Sequence, residues 1–153
     1  MTSARGAVAA GHPLTARAGA EALRAGGNAV DAAVAAMLVS FVAEPLLTGL
    51  GAGGYMLVAA PGGAPELLDF FIEAPGRDRA SAEHAELQAI DVSFGDAVQV
   101  FHIGAASVGV YGVAAGISAA SRRFGSLPLA DLVGPAARLI ARARCGGAEP
   151  SGP

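Results

Sequence analysis

Two carboxylates, Asp69 and Glu73, are spaced for acid–base chemistry, four residues apart in and just after an apolar stretch. A pair of this kind can divide the work of a general acid and a general base. Arg77 and Arg79 follow a few residues later, and an exposed carboxylate beside an arginine often forms a surface ion pair. We therefore expect both carboxylates to be solvent-exposed or ion-paired rather than catalytic.

The three histidines do not have the spacing of metal ligands. His12, His84 and His102 lie far apart, and the sequence contains no H-E-x-x-H motif, C-x-x-C motif or Cys/His cluster. The sequence therefore predicts no metal site and implies no cofactor. His12 precedes Pro13, and we expect it at the start of a helix.

The candidate nucleophiles lack the surroundings that activate such residues. Neither Ser107 nor Ser118 lies in a G-x-S-x-G motif, in which a sharp turn exposes a catalytic serine. Cys145, the single cysteine, lies in a glycine-rich stretch without a basic cluster that would stabilise a thiolate. The residues alone therefore predict no complete active site.

Gly49, Gly51 and Gly54 formally match the G-x-G-x-x-G pattern of dinucleotide-binding folds. In those folds the glycines follow a strand and open a helix. Here they follow a helical pattern and open an apolar run at 55–60. We therefore reject nucleotide binding and expect a loop whose backbone passes close to another segment.

The composition is that of a helix-rich chain with its own core. Of 153 residues, 53% are hydrophobic. The ten basic residues are all arginines and form no stripe, which argues against nucleic acid as a partner. The longest apolar run, 32–43, is shorter than the roughly 20 residues that span a bilayer. No signal-peptide pattern follows Met1, and a cytoplasmic location is our default expectation.

The first elements that position these residues are two predicted helices separated by a pair of glycines. Apolar residues at helical spacing predict a helix over 13–25, and the double glycine beginning at Gly26 ends it. Asn28 is an N-cap candidate, and Asp31, three residues later, completes a capping pattern. A second helix, buried on most sides, is predicted over 29–43.

The rest of the chain adds strands and two further helices, so the predicted fold class is α+β, helix-rich at the N-terminal end and followed by a β-hairpin. The sequence pattern predicts the following elements: strands over 5–10 and 97–102, a hairpin over 55–72, a short helix over 80–87, helices over 113–124 and 127–143, and a disordered tail over 144–153.

Several motifs resemble one known family, the gamma-glutamyltranspeptidases. Residues 12–36, H-P-L-T-A-R-A-G-A-E-A-L-R-A-G-G-N-A-V-D-A-A-V-A-A, are similar to the start of that family. T-G-L-G-A-G-G-Y, from Thr48, resembles its glycine-rich G-L-G-G-G-G-F region, and F-G-S-L-P, from Phe124, resembles its Y-G-K-L-P. The resemblance covers about residues 5–143 and is weakest over 77–106.

The resemblance implies an N-terminal nucleophile hydrolase with a layered αββα fold. Residues 1–143 would supply only the N-terminal part of its large subunit, a partial αββα fold. Family members cut one precursor into a large and a small subunit, and the new N-terminal threonine of the small subunit attacks a γ-glutamyl amide. The acyl group then passes to water or to an amino acid, with glutathione as the typical donor.

The family's nucleophile is not present in this sequence. The T-T-H-type motif at its cleavage site has no counterpart, because Thr2, Thr15 and Thr48 are the only threonines. None of them is followed by a second threonine or precedes a histidine. We therefore assign no catalytic residue to this chain.

The family's substrate-binding arginine also has no counterpart. In its D-x-R-E-x-A-P segment, aligned on Asp69 and Pro75, the arginine position holds Phe71. An aromatic ring cannot make the bidentate contact with a carboxylate that an arginine makes. Arg77, in a neighbouring turn, is an alternative candidate for that contact.

The sequence therefore predicts a fragment of a gamma-glutamyltransferase or glutathione hydrolase-like enzyme that is inactive alone. Its expected partners are the remainder of the large subunit, the small subunit and, once assembled, a small glutathione-like substrate. Neither nucleic acid nor metal is expected. Two alternatives stay open: an acylase subunit that assembles in trans with a separately encoded remainder, and a non-catalytic binding or scaffold module.

Overall fold

The computed structural model of the protein describes residues 6–76 and 86–144. They form four helices, two β-hairpins and one turn of 3-10 helix, as the α+β prediction requires. The elements run in the order α1 (Pro13–Arg24), α2 (Ala29–Ala43), β1 (Tyr55–Val58), β2 (Glu66–Asp69), β3 (Gln88–Phe94), β4 (Ala97–Ile103), the 3-10 turn (Ala105–Ser107), α3 (Val113–Phe124) and α4 (Leu129–Arg144). Within the described ranges, every helix is too short or too polar to cross a membrane.

Helix α1 begins and ends where its sequence signals predict. His12 is the N-cap, and its Nδ1 accepts a hydrogen bond from the Leu14 N–H at 3.1 Å. Pro13 occupies the first turn, where its missing N–H costs nothing. After Arg24 the chain turns at Gly26, whose φ of +94° favours glycine. The expectation that His12 starts a helix is confirmed.

Helix α2 lies at the centre of the core and packs against α1, α3 and α4. Only its positions 29 and 33 are exposed, which confirms the prediction of a helix buried on most sides. Its alanines leave room for close approach by neighbouring helices. The main core brings together residues from all four helices and from the first hairpin. They are Ala22, Val30, Val34, Ala35, Met56, Phe70, Val113, Ile117, Ala120 and Leu132.

The two hairpins differ in how they are supported. Strands β1 and β2 pair in antiparallel register, with Tyr55 opposite Asp69 and Leu57 opposite Leu67. Met56 and Phe70 point from this hairpin into the core. Strands β3 and β4 form a separate antiparallel ribbon, and every residue of β4 is exposed. The predicted strand over 97–102 is confirmed as part of β4.

Two strand predictions need correction, and one strand was not predicted. Residues 6–10 form no strand in the structure, because an extended apolar segment becomes a strand only when another strand pairs with it. The second strand of the first hairpin ends at Asp69 rather than at residue 72. Strand β3 was not predicted. Arg144, predicted as the first residue of the tail, is the last residue of α4. Most of the short helix predicted over 80–87, and residues 145–153 of the predicted tail, lie outside the described residues.

Candidate functional site

The buried carboxylate of Asp31 joins three helix ends. Asp31 lies at position N3 of α2 and is 0% exposed. Its oxygens accept hydrogen bonds from the Asn28 N–H at 2.8 Å, from the Ser126 hydroxyl at 2.6 Å and from the Ser126 N–H at 3.1 Å. The Leu127 N–H adds a longer bond of 3.3 Å. The loop between α3 and α4 is therefore fixed to the start of α2.

Hydrogen bonds set the charge state of Asp31. Burial alone raises the pKa of its carboxyl, because it disfavours the charged form. The bond from the Ser126 hydroxyl, and those from the backbone N–H groups of Asn28, Ser126 and Leu127, outweigh burial and hold the pKa below its ordinary value of 3.8. At neutral pH, Asp31 is therefore an ionised group with all its acceptors engaged rather than a proton carrier.

Asn28 completes this junction. Its Oδ1 accepts from the N–H groups of Val30 at 2.8 Å and Asp31 at 3.1 Å, so the predicted capping box is confirmed. Its Nδ2 donates to the backbone carbonyl of Phe124, at the end of α3, at 2.6 Å. The junction of Asn28, Asp31 and Ser126 is a support that positions the surrounding elements, and it does no chemistry itself.

The glycine loop passes against the first hairpin, as predicted. A Cβ atom on Gly53 would lie 2.5 Å from the Ile72 backbone nitrogen, so only glycine fits there. The Gly54 N–H donates to the Phe70 carbonyl at 3.3 Å, and the Phe70 N–H donates back at 3.1 Å. These contacts fix the backbone at 70–72 and therefore the direction of the Phe71 side chain.

Phe71 and Tyr55 form a stacked aromatic pair beside this loop. Their ring centroids are 5.3 Å apart and the ring planes differ by 7°. Tyr55 is 56% exposed and Phe71 is 51% exposed. The Phe71 N–H donates to Asp69 Oδ1 at 3.0 Å. Arg77, the other candidate for substrate contact, lies outside the described residues.

The two candidate acid–base carboxylates are both exposed, as expected. Asp69 engages the Phe71 backbone and fixes the turn that follows β2. Glu73 forms an isolated antiparallel bridge with Val110, through backbone bonds of 3.1 and 2.7 Å. Each residue therefore has a structural role in placing the segment that carries Phe71.

The other candidate residues are spread over the fold. The Ser107 hydroxyl donates to the Gly104 carbonyl at 2.7 Å, and the Ser118 hydroxyl accepts from Arg122. Thr15 is buried inside α1, and its Oγ1 donates to Glu44 Oε2 at 2.9 Å. In the described ranges, no three His, Cys, Asp or Glu side chains converge as a metal-binding group. Thr2, His84 and Cys145 lie outside those ranges.

Sequence reasoning identified the capping residues but missed two long-range contacts of this support. The bond between Asp31 and Ser126 spans 95 residues, and the bond between Thr15 and Glu44 spans 29. No local pattern signals either partner. The Asp31 contact had an indirect signal, since F-G-S-L-P was already part of the family resemblance.

Sequence comparison connects this geometry to known proteins. The gamma-glutamyltranspeptidase family profile matches residues 15–143. The Acylase ACY 1 proenzyme of Pseudomonas sp. (strain V22) is 38% identical over 92% of this chain and 25% of its own length. The glutathione hydrolase proenzyme of Pseudomonas aeruginosa is 37% identical over 86% of this chain and 22% of its own length. The chain thus spans about a quarter of the length of these curated relatives.

Solved structures give the same result. Gamma-glutamyltranspeptidase of Helicobacter pylori matches 91% of this chain and 38% of its own, with a TM-score of 0.67 and 27% identity. The enzyme of Pseudomonas nitroreducens matches 95% of this chain and 46% of its own, with a TM-score of 0.67 and 31% identity. These neighbours confirm the predicted partial fold of an N-terminal nucleophile hydrolase. The chain belongs to the gamma-glutamyltranspeptidase family and corresponds to the N-terminal region of its members.

Proposed function

We propose that this chain is the N-terminal part of the large subunit of an acyl-transferring enzyme and is inactive by itself. The observation that carries the proposal is the family match over residues 15–143 together with the absence of a T-T-H motif from the sequence. In the proposed enzyme the remainder of the polypeptide supplies the nucleophilic threonine. The described elements, from α1 to the end of α4 at Arg144, supply the scaffold.

The proposed reaction has two steps. The threonine hydroxyl attacks the amide carbonyl of the donor, and the threonine amine takes up the hydroxyl proton. The amine of the donor leaves with a proton, and an acyl ester remains on the threonine. Water or the amine of an amino acid then attacks the ester, which releases the acid or a new amide and restores the threonine.

In the proposed enzyme, this chain holds in place the segment after β2 that carries Phe71 and faces the donor. The junction of Asn28, Asp31 and Ser126 fixes three helix ends, and the glycine loop fixes the backbone that carries Phe71. Positioning of this kind contributes strongly to catalysis, because small displacements of a bound reactant are costly. No side chain of the support needs to take part in proton transfer.

An experiment with the chain alone and with its remainder tests the proposal. The chain is purified alone, and separately after co-expression with a downstream polypeptide that carries the T-T-H motif. Turnover of a γ-glutamyl anilide and of a simple acyl anilide is then measured. We expect no turnover by the chain alone and turnover of at least one substrate by the assembled protein. Turnover by the purified chain alone would overturn the proposal.

A trans-assembled acylase subunit is the second candidate function. The acylase part of this candidate is supported by two Pseudomonas relatives called Acylase ACY 1 proenzyme, which are 38% and 39% identical to this chain. In the assembled protein, an acylase prefers the simple acyl anilide and a glutathione hydrolase prefers the γ-glutamyl anilide. A scaffold module would require a monodisperse chain that unfolds cooperatively, and aggregation on purification would count against it.

A further inference from the structure

The outward face of the first hairpin is apolar although it is open. The residues that alternate with the buried Met56 and Phe70 are Tyr55 and Leu57 on β1, and Leu67, Asp69 and Phe71 on and after β2. Leu57 is 66% exposed and Leu67 is 60% exposed, comparable to the two aromatic rings. Four of the five outward positions are therefore apolar side chains that can contact a ligand.

The backbone that carries one ring of this aromatic pair is held in place. Gly53 packs against the backbone of Phe71 and Ile72, and the Phe71 N–H is bonded to Asp69 Oδ1. The rings of Tyr55 and Phe71 stack on each other, so the flat surface that is open to a ligand is the outer face of each ring. A planar group that stacks on it loses little freedom of the protein, because the surface exists before binding.

The charge on this face disfavours an acidic ligand. Among the five outward positions the only carboxylate is that of Asp69, which lies opposite Tyr55 in the hairpin register. A carboxylate bound beside Phe71 would face a like charge and would lack the paired donors of an arginine. A neutral, planar acyl group meets neither obstacle.

We propose that Tyr55 and Phe71 determine donor specificity and select an aromatic acyl group without a free α-carboxylate. This inference rests on the proposed function, since it assigns the donor of that acyl transfer. The two residues bind and orient the acyl group, and the reaction steps stay as described above. The competing occupant of this face is another layer of polypeptide, which would bury Phe71 and exclude the donor.

Two amides with the same leaving group test the donor class. N-ethyl-2-phenylacetamide carries an aromatic acyl group, and γ-glutamylethylamide carries the amino-acid acyl group. Each is titrated into the ¹⁵N-labelled chain, below the concentration at which it self-associates, while the backbone amide shifts are followed. We expect the phenylacetamide to shift Tyr55 and Phe71 saturably, and to bind about tenfold more tightly than the γ-glutamyl amide.

Variants make the assignment specific to Phe71. Phe71→Arg should weaken phenylacetamide binding about tenfold and strengthen binding of the γ-glutamyl amide, while Phe71→Tyr should bind both like the wild type. Phe94→Arg on β3 is the control, because Phe94 is also an exposed ring beside a second ring, that of Phe101, although this pair is tilted by 44° rather than stacked. It should change neither affinity. Spectra of all variants must show the dispersed peaks of the folded chain.

Three results would overturn the inference: equal affinity for both amides, no shift of Tyr55 or Phe71 by either, or unchanged phenylacetamide binding in a folded Phe71→Arg chain. Binding does not need the threonine nucleophile, so it is measured independently of turnover. If neither amide binds at Tyr55 and Phe71 but the assembled protein shows turnover, only the donor assignment is wrong. If the phenylacetamide binds but no assembled protein shows turnover, the proposed function is wrong instead.

Discussion

The buried Asp31 carboxylate accepts a 2.6 Å hydrogen bond from the hydroxyl of Ser126, 95 residues later in the chain. This contact links the start of α2 to the loop that joins α3 to α4. Because the same carboxylate also closes the capping box with the Asn28 N–H, one side chain stabilises both a helix end and a long-range loop. The stability of the chain should therefore depend on Asp31 more than on most polar residues.

Replacing Asp31 with alanine should strongly destabilise the chain. The substitution removes the charged acceptor of the Asn28 and Ser126 N–H groups, and a hydrogen bond to a charged group contributes about 1.5–3 kcal/mol. We expect a loss of about 3 kcal/mol in the free energy of unfolding, measured by urea denaturation followed by circular dichroism. Ser126→Ala should cost about 1 kcal/mol. Ser118→Ala, a surface hydroxyl on α3, is the control and should change stability by less than about 0.5 kcal/mol.

The Asp31 contribution should also depend on pH. Its pKa is lowered in the folded chain, so its stabilisation is complete above the unfolded-state value near 3.8 and is lost as the pH falls below that value through the folded pKa. The difference in unfolding free energy between wild type and Asp31→Asn should be constant from about pH 7 to pH 5 and shrink below about pH 4. A difference that does not change down to pH 3 would show that Asp31 gains no stability from its charge.

Local signals predicted the helices well, because the residues that cap or end a helix are adjacent to it in the sequence. His12, Gly26 and the Asn28–Asp31 pattern gave helix bounds within one residue of the structure. Strand β3 was not predicted, although Ile90, Val92 and Phe94 alternate with polar residues. Such alternation with a period of two indicates a strand. The Asp31–Ser126 bond was beyond local rules, since nothing in the sequence near Asp31 specifies a partner 95 positions away.

The second hairpin should make the isolated chain self-associate. Phe94, Phe101 and Ile103 lie on one face of the β3–β4 ribbon and are all exposed, and exposed apolar strands pair readily with other chains. Phe94→Lys should raise the concentration at which oligomers appear several-fold, measured by size-exclusion chromatography with light scattering. Ala115→Lys adds the same charge to the exposed surface of α3 and should have little effect. Equal behaviour of the two variants would assign association to another surface.

The glycine loop offers a matched pair of substitutions that separates close packing from chain flexibility. A Cβ on Gly53 would lie 2.5 Å from the Ile72 nitrogen and 2.7 Å from the Phe71 carbonyl carbon, whereas a Cβ on Gly49 meets nothing within 4 Å. The obstacle at Gly53 is backbone, which cannot rotate aside. Gly53→Ala should therefore cost about 1–3 kcal/mol of unfolding free energy and shift the amide signals of Phe71 and Ile72.

Gly49→Ala should leave both the stability and those signals close to wild type, because the added methyl group enters open space. Both substitutions reduce the freedom of the unfolded chain by the same amount, so their difference reports the contact at Gly53 alone. If Gly53→Ala were as stable as Gly49→Ala, the loop would not be pressed against the hairpin. The backbone that carries Phe71 would then lose this support, and the proposed contact of Phe71 with a donor would lose its structural basis.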